Sequence, residues 1–135
     1  MDNKSLQFTV VTQEKTVYSK TADSVTAKTA LGEITILPHH DNLVTLIEPG
    51  EIKIHNGSER IALATSGGFL EVNNNVVTIL ADSAELPSDI NIEEAEKARQ
   101  EALAVMQGKS SNLTFDEALK ALEYARTRLR VAEHD

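Results

Sequence analysis

Four groups of residues have types and spacings that chemistry could use. His39 and His40 are adjacent after Pro38, with His55 further on. A metal would need several of these imidazoles to converge. Neighbours on a strand point to opposite faces, so the pair reads more simply as surface or interface histidines. Ser66-Gly67-Gly68 lacks the Lys-Ser/Thr of a phosphate loop and leads into a strand pattern, and nothing nominates a base for Ser66. It reads as a bend in a strand. Glu93, Glu94, Glu96 and Glu101 suit the first turn and open face of a helix. Arg126, Arg128 and Arg130 suit the last turns of another, where cations complement the dipole. Their second reading is docking onto an acidic partner surface. No nucleophile, base and stabiliser set can be assembled, so an enzyme is the least supported class.

The elements that must carry these groups change type along the chain. "LQFTVVT", "SVTAKT", "GEITILP", "NLVTLIE", "GEIKIH", "RIALAT", "GFLEV" and "NVVTIL" all alternate apolar and polar residues. Such runs, broken at intervals of about 8–12 residues, predict an antiparallel β sandwich of about ten short strands. "EPG" at Glu48–Gly50 and "HNGS" at His55–Ser58 read as turns, and Asn73–Asn75 can turn left-handed without glycine. From Asn91 the period becomes helical. Asn91 and Glu94 predict a capped start, with Ile92, Ala95, Ala98, Ala102, Val105 and Met106 on one stripe and Gly108 as the stop. Thr114 and Glu117 predict a second capping box, with Phe115, Ala118, Leu119, Leu122, Ala125, Leu129 and Ala132 on its stripe. Two helices joined this closely predict an antiparallel hairpin. The expected organisation is therefore a sandwich domain over 1–87 and a two-helix domain over 88–135. Alanine-rich stripes bury little area, so the hairpin is expected to be marginally stable.

Composition narrows the partners. The 135 residues carry a formal net charge of −8, with six basic against eleven acidic residues in 1–87 and seven against ten in 88–135. That balance argues against nonspecific nucleic-acid binding and against adsorption to anionic membranes. There is no cysteine, so disulfides and thiolate zinc sites are excluded. No apolar run approaches the ~20 residues of a membrane span, and "MDNKSLQF" lacks a signal-peptide pattern. These features lead to the expectation of a soluble cytosolic protein acting through protein contacts, with no cofactor and no metal.

"GEITILPHHDNLVTLIEPGEIKI" and "IALATSGGFLEVNNNVVTILADSAEL" resemble the ε subunit of bacterial F-type ATP synthases. The carrying motifs are Gly32 to His40, Ser66 to Val72 and Thr78 to Asp82, followed by the two-helix tail, so the resemblance spans essentially the whole chain. His39 stands where the family usually has glycine. The resemblance implies a non-catalytic rotor subunit at the cytoplasmic face of the bacterial plasma membrane. It implies a γ-subunit partner, a c-ring beneath, and α and β subunits reached when the helices extend to inhibit ATP hydrolysis. By match to the family's c-ring-facing loop it implies Gly32, Glu33 and His40, with the neighbour His39. No comparable motif marks the γ-facing surface, and Phe69, Leu70, Val72, Val77 and Ile79, on two neighbouring strand patterns, are suggested for it. On this reading Arg126, Arg128 and Arg130 meet the catalytic head. The family's nucleotide motif, Ile-Asp-x-x-Arg-Ala, is degenerate here: Ile90 and Ala95 are kept, but Asn91 and Glu94 replace its Asp and Arg, so ATP binding is expected to be weak or absent. The alternative is a free-standing ligand-binding sandwich with a helical dimerisation hairpin.

Overall fold

A computed structural model describes residues 5–133. Ten strands are followed by two helices. The strands are β1 (Leu6–Val11), β2 (Thr16–Ala22), β3 (Ser24–Thr29), β4 (Gly32–Ile36), β5 (Leu43–Ile47), β6 (Gly50–Asn56), β7 (Glu59–Thr65), β8 (Gly68–Asn73), β9 (Val76–Ala81) and β10 (Ala84–Glu85). A 3-10 turn at Pro87–Asp89 leads to α1 (Ile92–Met106) and α2 (Phe115–Glu133). Pairing runs β10-β7-β6-β3-β5-β8-β9-β1-β2, with β4 on β3, and the sheet folds over one core. Side chains alternate as the sequence pattern requires. On β1, Leu6, Phe8 and Val10 are buried; on β9, Val77, Ile79 and Ala81 are.

One pair departs from the antiparallel expectation: β1 lies parallel to β9, Phe8 opposite Val77. The two strands are far apart in sequence, so no tight turn dictates their relative direction. β2 has little apolar periodicity and is recruited by pairing with β1, from Leu6 opposite Ala22 onward.

Local backbone chemistry sets the joints. Asn74 and Asn75 take φ of 51° and 67° between β8 and β9, where the triple asparagine predicted a left-handed turn. Gly68 has no room for a side chain, since a Cβ would stand 2.2 Å from the Leu80 carbonyl oxygen. The Ser-Gly-Gly stretch is thus a close backbone crossing.

Both helix starts are capped as their sequences predict. Asn91 Oδ1 accepts the Glu94 N–H at 3.0 Å. Thr114 Oγ1 accepts the Glu117 N–H at 3.1 Å, while Glu117 Oε1 accepts the Thr114 N–H at 2.9 Å. Ala95 and Ala102 of α1 and Ala118, Leu122 and Ala125 of α2 are buried as the helices pack on each other. Phe115 and Ile92, expected on the buried stripes, are more than half exposed. Among the described residues, no helix is long and apolar enough to cross a membrane.

Candidate functional site

The tip joining β3 to β4 presents Leu31, which is 95% exposed, beside Gly32 and Glu33. Gly32 has φ of 117°, which lets the hairpin close, and its carbonyl accepts Thr29 Oγ1 at 2.6 Å. His39 and His40 lie beyond the other end of β4. His39 has a φ of 66°, and its N–H donates to Asn75 Oδ1 at 2.8 Å. His40 Nδ1 sits 2.7 Å from the Asp41 carbonyl oxygen. Gly32, Glu33, His39 and His40, expected together on one loop, are therefore split into two pairs, because β4 stands between them at about 3.3 Å per residue. The same histidine geometry brings Asn75 into view, which its sequence context marked only as a turn residue. Its Nδ2 also donates to the Ser5 carbonyl at 2.8 Å. Among the described residues no group of His, Asp and Glu is arranged to hold a metal ion.

The five residues suggested for γ divide by the pleat. Leu70, Val72, Val77 and Ile79 are at most 2% exposed and fill the core, so their side chains are unavailable to any partner. This corrects that suggestion: period two sends alternate residues inward, and these four are the inward set. Phe69 points outward and is 53% exposed. It is opposite Leu46 on β5 and Leu80 on β9, both also exposed. Leu46, Phe69 and Leu80 thus form an apolar row across three strands, with exposed Val44 on the same face of β5.

The hairpin rests on the sandwich through α2, against β6, β7 and the Pro87–Asp89 turn. The apolar part of this seam is small. Ala64, Ile90 and Val131 are buried, with Ala62, Tyr124 and Ala132 packed around them. Beside it an open groove of ≈ 740 Å³ runs past Lys53, His55, Arg60, Leu86 and Val131.

The three arginines have different surroundings. Arg126 is surface-exposed, 3.6 Å from Glu123 on its own helix. Arg130 Nε donates to Glu51 Oε1 on β6 at 2.5 Å. Arg128 is only 7% exposed. Its Nη2 donates to Glu85 Oε2 on β10 at 3.2 Å and to Glu94 Oε1 on α1 at 3.0 Å. Its Nε lies 2.7 Å from Glu85 Oε1 but is not aligned to donate, so the Glu85 contact is an ion pair with one hydrogen bond. Oε1 instead accepts the Tyr124 hydroxyl at 2.8 Å, and the guanidinium stands 5.4 Å from the Tyr124 ring centre. Burial works against the charge on Arg128. The hydrogen bond and attraction of Glu85, then Glu94, more than offset it and hold its pKa above the ordinary arginine value. Burial first, then Glu85, pushes the Tyr124 hydroxyl up as well.

The stripe expected on α2 from the sequence missed this face. Tyr124, Arg128 and Val131 fall at i, i+4 and i+7, so a second helical stripe was legible, but a central arginine disguised it. The degenerate nucleotide stretch is also engaged. Asn91 caps α1, Glu94 holds Arg128, and Ala95 and Ile90 are buried.

Residues 5–87 match the family model described as ATP synthase, Delta/Epsilon chain, beta-sandwich domain. Residues 88–133 match ATP synthase, Delta/Epsilon chain, long alpha-helix domain. An ATP synthase epsilon chain from Halalkalibacterium halodurans is 43% identical over 129 residues, covering 95% of this chain and 97% of that protein. One from Desulforamulus reducens is 38% identical over 130 residues, covering 96% and 98%. A chain in the cryo-EM structure of Euglena gracilis mitochondrial ATP synthase, OSCP/F1/c-ring in rotational state 1, superposes with a TM-score of 0.79 at 27% identity, covering 97% of this chain and 82% of that one. With both of its parts matched in order and full-length relatives well above 30% identity, the chain belongs to the ATP synthase delta/epsilon family.

Proposed function

We propose that the chain is a non-catalytic subunit of the central stalk of an F-type ATP synthase. In this reading it links c-ring rotation to the catalytic head through γ. The sandwich, residues 1–87, is the rigid mechanical part, and the hairpin, residues 88–135, restrains ATP hydrolysis when it leaves the sandwich. Its place is the cytoplasmic face of the plasma membrane, peripheral and held by its partners.

The observation that carries this reading is the separation of the two packing units. The main core draws all its buried members from the sandwich, Leu6 to Ala84, and takes none from the helices. A stiff element can thus keep its shape while the hairpin moves, as a coupling part with a mobile brake requires. We assign γ to the outer apolar row of Leu46, Phe69 and Leu80, since an exposed row of this kind is a partner surface. We assign the c-ring to the tip carrying Gly32 and Glu33. With His39 and His40 at the far end of β4, these residues serve a different contact or the loop's own geometry. Arg126 is the arginine most available to acidic residues of the α and β subunits.

The test is ATP hydrolysis by the catalytic head lacking this subunit, after adding back the full chain or a chain ending at Pro87. Both should bind, and only the full chain should slow hydrolysis. Equal slowing by both, or by neither, would remove the brake and leave mechanical coupling. Calorimetry on the isolated chain should detect no micromolar ATP binding, because Glu94 repels phosphate where a cation would be needed.

A further inference from the structure

We propose that Arg128 is the latch that docks the hairpin, and that its two carboxylate partners have separate jobs. The proposal rests on the reading that the hairpin can leave the sandwich. Glu85 belongs to β10 and stays with the sandwich, whereas Glu94 belongs to α1 and travels with the hairpin. One guanidinium therefore ties three elements together, and undocking breaks only half of the arrangement.

The seam leaves few other candidates. Its apolar part is three buried side chains, one of them alanine, next to an open groove. The Arg130–Glu51 pair also crosses the seam and its Glu51 is largely buried, but its guanidinium is half-exposed and screened by water. Arg128 is different because it is buried against a Glu85 side chain only 21% exposed. Removing Arg128 would leave the largely buried Glu85 carboxylate without its counter-charge. The Tyr124 hydroxyl adds a second bond from α2 to the same carboxylate. Two side chains of α2 thus converge on Glu85, which makes that carboxylate the polar anchor of the docked hairpin.

Release is made tolerable by Glu94. Its side chain is 65% exposed, so water reaches this pair even in the docked state. When α2 lifts away, Arg128 exchanges Glu85 for water and keeps Glu94. The guanidinium is never left without a counter-charge, and α1 and α2 stay joined. The latch holds the closed form without making the open form inaccessible, which a two-state element needs.

The full chain permits a direct test, because it has no cysteine and labels can be placed singly. Paired spin labels at exposed Lys20 and Lys120 report sandwich-to-α2 distance, and at exposed Lys97 and Lys120 report α1-to-α2 distance. Glu85→Gln should raise the fraction with a long Lys20–Lys120 distance at least about tenfold, as expected for losing a charge-assisted bond. The Lys97–Lys120 distance should not change. Glu94→Gln should give a smaller undocked fraction than Glu85→Gln. Arg128→Gln guards against a private effect of Glu85 on β10 and should undock the hairpin too. If neither Glu85→Gln nor Arg128→Gln lengthens the first distance, or if both distances lengthen together in Glu85→Gln, Arg128 is not the latch. The labels are read in the free chain, so an unchanged distance would leave the rotor role standing. Failure to slow hydrolysis would likewise leave the latch standing.

Discussion

Tyr124 shows how one side chain can couple docking to pH. Its hydroxyl donates to Glu85 and is held above the ordinary tyrosine value of 10.0, by burial first and by Glu85 second. The docked state therefore favours the neutral phenol. Its contribution is complete below the ordinary value and is lost as pH rises through the raised one, because the undocked phenol ionises first. Hairpin docking should weaken above about pH 10. Tyr18 is also raised by burial, then by Glu59, and lies in the sandwich, so it would blur a global titration. Tyr124→Phe separates the two. Once amide exchange rates are divided by the base-catalysed rate of an unprotected amide, protection in α2 should hold through alkaline pH in that variant and fall in the parent chain. An identical alkaline response in both proteins would place the sensitivity elsewhere.

Among the elements, the β8–β9 turn does more than reverse the chain. Asn74 and Asn75 are both left-handed, and the Asn75 amide also accepts from the His39 N–H and donates to the Ser5 carbonyl. Three distant segments are thereby fixed at one end of the sandwich. Asn75→Gly keeps the backbone conformation and removes both bonds. It should lower stability by about 1–2 kcal/mol, seen as a lower urea midpoint at unchanged slope. Asn74→Gly makes the same backbone change one residue earlier and serves as the control for glycine entropy. Equal midpoints for the two variants would mean that the Asn75 amide contributes nothing. At the helices, the capping of α1 and α2 defines where each begins, but it does not decide where the hairpin sits.

At the scale of the molecule, the two packing units predict unequal stability. A chain ending at Pro87 should fold, since no helix residue belongs to the main core. Its urea midpoint should lie near that of the sandwich within the full chain, with α1 and α2 amides of the full chain exchanging faster than β1, β8 and β9. Loss of cooperative unfolding in the shortened chain would show that the hairpin is part of one fold. The open groove beside Val131 and the short apolar seam favour the first outcome.

Local rules were enough for much of this architecture. Alternation marked most strands, while the asparagine turn and the helix starts followed from residue chemistry at single positions. Those signals depend on near neighbours, and a sequence displays near neighbours directly. The parallel pairing of β1 with β9, the recruitment of β2 and the burial of Arg128 depend on residues far apart in the chain. The pleat was legible at Leu70 and Ile79, yet which face was the core needed the whole sheet. Arg128 is the sharpest case. Its charge suggested a surface residue, and only the fold supplied Glu85 from β10 and Glu94 from α1. Burial of that charge is permitted because the partners meet there, and their meeting is a property of the tertiary structure alone.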